Sequence, residues 1–331
     1  MALIKSISGI RGTIGGAVGE ALTPVDIIKF TAAYGTWLKS AGNATKVVLG
    51  RDARISGDVV AKLVTGTLQG LGLDVIDLGM ATTPTVEVAV VDENAGGGII
   101  LSASHNPIQW NALKLLNEKG EFISHEAGET VLKIAKEESF QFAEVLDLGK
   151  YEQKTDWLQR HIDKVCAMPL VNVEAIKEAN FKIAVDAVNS VGGFAVPAML
   201  EALGVTQIEK LHCEPTGHFA HNPEPLPENI TEICQVVKDK NCDLGIIVDP
   251  DVDRLALVCD NGMPFGEEYT LVAVADYVLP RRKGALVTNL SSSQAIADMA
   301  KKHGFTFAES AVGEVNVVNT MKANKAVIGG E

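Results

Sequence analysis

Short runs of β-branched and other apolar residues recur along the chain, each followed by a loop of small or polar residues, an amphipathic stretch and a glycine. In the first copy KVVLG, at residues 46–50, leads through a polar loop into DVVAKLVTGTLQGLG and then into LDVIDLG. A brief continuous apolar run predicts a buried strand, and apolar residues three and four apart predict a helix. Gly72 is placed to end that helix. The second copy, KIAVDAVNSVGGFAVPAMLEALGV, has its strand at 182–185 and its stop at Gly204; the third, ALVTNLSSSQAIADMAKKHGF, stops at Gly304. Repeated strand–loop–helix units predict an α/β chain of tandem, similar, mixed-sheet domains. The charged stretch 149–156 reads as a first linker, and the turn Asp260, Asn261, Gly262 as a second. The expected domains are therefore 1–150, 151–260 and 261–331.

Composition narrows the function. With 47% apolar and 21% charged residues, the 331-residue chain can bury sizeable cores without disulfides. Its 29 Lys and Arg against 42 Asp and Glu give a net charge of -13, which repels a phosphate backbone and argues against nucleic acid as a partner. Cys166, Cys213, Cys234, Cys242 and Cys259 form no CxxC, as expected of reduced thiols in the cytoplasm. MALIKSISGIRGTIGG holds no apolar stretch of signal-peptide length, and Asp276 breaks the best later run, 271–279, so no membrane partner is expected.

Three segments carry candidate chemistry. In GGGIILSASHNPIQWNALKLL an apolar strand at 99–101 runs into Ser102, Ala103, Ser104, His105, Asn106 and Pro107, which presents a serine beside an imidazole on a loop. Ser104 is a candidate phosphoryl carrier or a turn cap; no GxSxG or spaced triad favours acyl chemistry. Lys114, in the next apolar run, is a candidate proton shuttle or charge clamp. In LGIIVDPDVDRLAL, Asp249, Asp251 and Asp253 alternate after a buried strand, and period-two geometry would aim all three carboxylates to one side. Three oxygen ligands without His or Cys favour Mg²⁺ over Zn²⁺. An EF-hand does not fit, because Arg254 and Asp260 stand where that loop needs Gly and Glu. The third group is cationic: Arg11 between Gly9 and Gly12 in SGIRG, and Arg51 and Arg54 in GRDARISG. Guanidinium is a natural fork for phosphate. A presented serine, a metal triad and cationic clamps together point to phosphoryl transfer.

The segments ASHNP and DPDVDR resemble the phosphoserine and metal loops of the α-D-phosphohexomutases, which include phosphoglucomutase, phosphomannomutase and phosphoglucosamine mutase. GIRG, GRDARISGD, HNPIQWNALKL and the final GGE fall in that family's order. The resemblance implies that Ser104 carries the phosphoryl group and that Asp249, Asp251 and Asp253, with Ser104, hold Mg²⁺. It gives Arg11 and Lys114 proton transfer and phosphate stabilisation, His105 support of the loop, and Gly330 and Glu331, with Arg51, contact to a hexose phosphate. Ser102 stands where many relatives have Thr, Pro250 where many have Gly, and Glu314 where many have a basic or other polar residue. The family has four domains, so the resemblance implies that 261–331 is part of a third, ending in the sugar-binding loop.

The HFAHNPEPLPENI loop is closest to the phosphoglucosamine mutase branch, making glucosamine phosphate the first expected substrate and mannose or glucose phosphate the second. Two other functions remain open at this point. GIIVDPDV also fits the start of a haloacid-dehalogenase-type phosphatase with Asp249 as nucleophile, and a non-catalytic sugar-phosphate-binding module would keep the same loops.

Overall fold

A computed structural model describes residues 2–6, 9–42 and 45–331; Ser8 of the SGIRG motif lies outside the described residues. Each recurring unit runs from strand to helix to parallel strand. Lys46–Arg51 and Asp74–Met80 flank helix Gly57–Gly70 and pair with Lys46 opposite Asp74. Lys182–Asp186 and Gln207–Leu211 flank Gly192–Ala202, and Ala285–Asn289 and Phe307–Ser310 flank Ala295–His303, with the same parallel pairing. Gly72, Gly204 and Gly304 have φ of 78°, 90° and 72°, the left-handed region where a side chain is strained.

The first sheet has seven strands in the order Leu3–Ser6, Gly9–Thr13, Trp110–Leu116, Gly97–Leu101, Lys46–Arg51, Asp74–Met80, Tyr151–Gln153. Its centre is apolar throughout because helices cover both faces. Val47 and Leu49 pack with Ile27, Phe30, Tyr34 and Leu38 of helix Pro24–Ser40, while Val48 packs with Val86, Ala89 and Val90 of helix Thr83–Asp92 and with Trp157. At Gly97 an added Cβ would lie 2.3 Å from the Tyr34 hydroxyl, which sits 2.6 Å from Leu116 O and 3.0 Å from Gly98 O. The second sheet runs Leu255–Cys259, Leu244–Val248, Lys182–Asp186, Gln207–Leu211, and the third Phe307–Ser310, Ala285–Asn289, Ala326–Gly330.

One expected linker takes part in a sheet. Tyr151–Gln153, read as linker, is the outer strand of the first sheet, with Val75 opposite Tyr151; its three residues are exposed and so carry no apolar pattern. Past the Gly262 turn, the bridge between Val258 and Pro264 and the bond from Phe265 N to Leu257 O lead the chain toward the third unit. Helix Glu267–Val278 then supplies Leu271 and Ala275 to the core of the third unit. No described helix is long and apolar enough to cross a membrane. The loops after Gly97–Leu101, Leu244–Val248 and Ala285–Asn289 open toward one cavity, as expected for the carboxyl ends of strands in open α/β sheets.

Candidate active site

The cavity encloses about 1080 Å³ and is lined by parts of all three units, among them Arg11, Ser104, His105, Lys114, Asp253 and Glu331. Ser104 follows the fully buried strand Gly97–Leu101 and has φ 50°, an uncommon conformation for a residue other than Gly. Its Oγ donates to Asp249 Oδ2 at 2.6 Å and lies 3.4 Å from His105 Nδ1. Burial, then the charge of Arg254, pushes His105 below the usual imidazole range, so it is neutral at pH 7.

The three aspartates converge, with one oxygen from each within 4.8 Å of the others. They do so by a turn rather than by the extended alternation expected from sequence. Val252 adopts φ 63°, and the backbone N–H groups of Asp253 and Arg254 donate to Asp249 Oδ1 at 3.2 and 3.1 Å. The first unit grips this turn. Thr83, at the start of helix Thr83–Asp92, donates its N–H to Asp251 O at 2.8 Å and its hydroxyl to Asp251 Oδ2 at 2.7 Å. Ser190 Oγ donates to Pro250 O at 2.6 Å and accepts from Ala53 N at 3.2 Å. These partners lie far away in sequence; only Thr82, Thr83, Pro84, a helix-start pattern, marks one of them beforehand.

Lys114 reaches across the seam, its Nζ 2.5 Å from Asp251 Oδ2 and 2.7 Å from Asp253 Oδ2. Burial works against the ammonium, but the two carboxylates outweigh it and hold Lys114 above the ordinary lysine range. Asp251 is the mirror case: burial would raise it, yet Lys114 and the Thr83 hydroxyl keep it below the usual carboxylate range. At Asp249 the charge of Lys114 is outweighed. Burial, then the charges of Asp251 and Asp253, push this carboxyl well above that range.

A divalent cation suits this donor set. All ligand atoms are oxygens, the like charges repel, Lys114 already stands as a cation against two of them, and Asp251 Oδ1 is buried with no hydrogen-bond partner among the described residues. An anion suits the other wall, where the buried Nε of Arg11 also has no partner among the described residues.

Two expected contacts are absent from the cavity lining. The Arg51 Nη1 turns back to Asp52 O at 3.3 Å, and the arginine whose guanidinium approaches the serine loop is Arg54. Gly330 lies within strand Ala326–Gly330, its carbonyl accepting from the Thr288 hydroxyl at 3.0 Å, while Glu331 beyond it does line the cavity. Glu331 Oε1 accepts from Asn289 Nδ2 at 3.0 Å and from the Gly313 N–H. Glu314 begins helix Glu314–Asn324 and also lines the cavity; burial, then Asp253, pushes it to about 7.

Residues 3–142, 159–262 and 266–331 match the descriptions "Phosphoglucomutase/phosphomannomutase, alpha/beta/alpha" domain I, domain II and domain III. The chain is 35% identical over 325 residues to a phosphoglucomutase/phosphomannomutase of Thermococcus kodakarensis, covering 97% of this chain and 70% of that protein. It is 31% identical over 336 residues to a phosphoglucosamine/phosphogalactosamine mutase of Sulfurisphaera tokodaii, covering 100% of this chain and 72% of the relative. A crystal structure of a phosphoglucomutase/phosphomannomutase family protein from Burkholderia thailandensis superposes with a TM-score of 0.86 at 25% identity, over 99% of this chain and 71% of that one. With all three domains matched in order around the serine and aspartate loops, the chain belongs to the phosphoglucomutase/phosphomannomutase family, the α-D-phosphohexomutases.

Proposed function

We propose that the chain is a phosphohexose mutase that interconverts 6-phospho and 1-phospho sugars through a phosphoserine at Ser104. The observation that carries this reading is the meeting, in one cavity, of a strained loop serine, an acidic triad and a lysine bridging two of its carboxylates. A hydroxyl of the hexose monophosphate attacks the phosphorus on Ser104. A P–O bond forms at the sugar and the Oγ–P bond breaks; Oγ keeps the electron pair of the broken bond and takes up the proton that the sugar hydroxyl releases, leaving a serine hydroxyl. The bisphosphate then turns over, and Oγ takes the phosphoryl group from the other end, which frees the isomerised monophosphate and restores the phosphoserine.

Asp249, Asp251, Asp253 and the Ser104 oxygen would hold Mg²⁺, which when bound withdraws charge from the transferring phosphoryl group. Lys114, firmly an ammonium here, serves as a charge clamp rather than a base. Neutral His105, 3.4 Å from Ser104 Oγ, is suited to hold the serine's proton, and Arg11 to receive a phosphate at its Nε, which has no partner among the described residues. Glu331 grips sugar hydroxyls. The dehalogenase-type reading is weaker because Asp249 is fully buried and both its oxygens are engaged, Oδ2 by the Ser104 hydroxyl and Oδ1 by the N–H groups of Asp253 and Arg254.

Glucosamine phosphate is the preferred substrate. Glu314 and Glu331 give the sugar end of the cavity an acidic lining suited to an ammonium substituent, and the Sulfurisphaera relative bears an amino-sugar mutase name. A reducing cytoplasm suits the five unpaired cysteines. The test is discharge of phosphorylated chain by glucosamine 6-phosphate, mannose 6-phosphate and glucose 6-phosphate side by side. Fastest discharge by glucosamine 6-phosphate is expected; faster discharge by either neutral sugar overturns the preference.

A further inference from the structure

Arg54 is 1% exposed, and every N–H of its guanidinium has an acceptor. Nε donates to Asp52 Oδ2 at 3.0 Å, Nη1 to Pro107 O at 2.8 Å and Trp110 O at 3.0 Å, and Nη2 to Ser104 O and Asn106 O, both at 2.6 Å. Asp52, 0% exposed, accepts the Arg54 backbone N–H at 2.9 Å and the Ser102 hydroxyl at 2.7 Å. Ser102 Oγ in turn accepts from Ser104 N at 2.9 Å. Both backbone groups of Ser104 therefore run to one buried ion pair, the carbonyl directly and the N–H through Ser102. Phe219, from the second unit, covers the guanidinium with its ring centroid 5.0 Å from Cζ.

Ser104 needs such a clamp. At φ 50° a residue with a side chain relaxes unless its surroundings over-determine it, and a relaxed backbone would turn Oγ away from Asp249. A bidentate guanidinium with its planar fork can hold several carbonyls in fixed directions, which an ammonium cannot. Neither Asp52 nor Arg54 lines the cavity. Their effect on the reaction has to pass through the loop they hold.

We propose that the Asp52–Arg54 pair, relayed by Ser102, is the positioning device for phosphoryl transfer, locking Ser104 in the left-handed conformation that aims Oγ at the triad. The proposal rests on the reading of Ser104 as the phosphoryl carrier. Its test follows phosphate arriving on Ser104 by mass spectrometry, in the full chain given Mg²⁺ and glucose 1,6-bisphosphate, with Mg²⁺ affinity and melting temperature measured beside it. Ser102→Ala cuts only the relay and keeps the ion pair. The rate falls about tenfold in Ser102→Ala and about a hundredfold in Arg54→Lys, with a much smaller loss of Mg²⁺ affinity because the three aspartates are untouched, since small misplacements of reacting groups cost that much. Ser102→Thr, which restores the hydroxyl, returns the rate. A Ser102→Ala chain that is labelled as fast as wild type overturns the positioning role, and so does a rate loss that tracks an equal loss of Mg²⁺ affinity and stability. Wild type that takes no phosphate on Ser104 removes the carrier reading itself, and this role with it.

Discussion

Replacing Lys114 by Met tests whether the triad is a set of like charges waiting for a cation. Lys114 Nζ stands 2.5 Å from a carboxylate oxygen of Asp251, whose side chain is 0% exposed, and 2.7 Å from one of Asp253, 27% exposed. Methionine keeps most of the packing and removes the only positive group that bonds to either aspartate among the described residues. Breaking a buried pair by removing one partner costs about 3–5 kcal/mol, and solvent at Asp253 argues for the lower end, about 3 kcal/mol. At about 2–4 °C per kcal/mol the metal-free melting temperature should fall by about 6–12 °C. Magnesium should then recover more in the variant than in wild type, because in wild type the ammonium and the cation compete for the same carboxylates. Thermal melts in EDTA and in millimolar MgCl₂ measure both effects. A metal-free variant melting within about 1 °C of wild type, or one that gains less from Mg²⁺, refutes the reasoning.

Asp249→Asn copies the neutral form that burial and the neighbouring charges already favour, so metal-free stability should hold or rise by about 1 kcal/mol while stabilisation by Mg²⁺ disappears; a marked metal-free loss in the same melts would contradict this. Burial, then Glu314 and Asp253, push Glu87 from 4.5 to about 8, so the folded chain keeps a proton that the unfolded chain releases. Stability from this group is complete below pH 4.5 and drains away as pH rises to about 8, which makes Glu87→Gln equal to wild type at the acid end and better by about 2 kcal/mol at the alkaline end. Urea titrations in EDTA at the two pH values decide it, and an equal gain at both would count against the assignment.

The strand–helix–strand units were legible because each buried strand is a continuous apolar run and each helix ends at a glycine with positive φ. The serine and aspartate loops were legible for a related reason: polar residues directly after a buried strand have nowhere to go but the mouth of the sheet. Strand Tyr151–Gln153 was missed since an edge strand with exposed side chains has no apolar signature. The convergence of the triad depends on Val252 in a conformation its β-branched side chain disfavours, so local preference pointed to an extended strand instead. Arg51 and Arg54 differ by three positions and not at all in chemistry; only tertiary contacts with Asp52 and four loop carbonyls separate the buried one from the other. The Thr82, Thr83, Pro84 pattern announces a helix start but not the partner of Thr83, Asp251, which lies 168 residues away.

Whether Ser104 carries phosphate is decided by peptide mapping of the chain after exposure to glucose 1,6-bisphosphate and Mg²⁺. One acid-stable phosphate on Ser104 is expected, discharged by glucosamine 6-phosphate and missing from Ser104→Ala, whose melting temperature should stay close to wild type because a loop hydroxyl contributes little packing. A hydroxylamine-labile phosphate on Asp249, or a Ser104→Ala chain labelled as readily as wild type, would contradict the account.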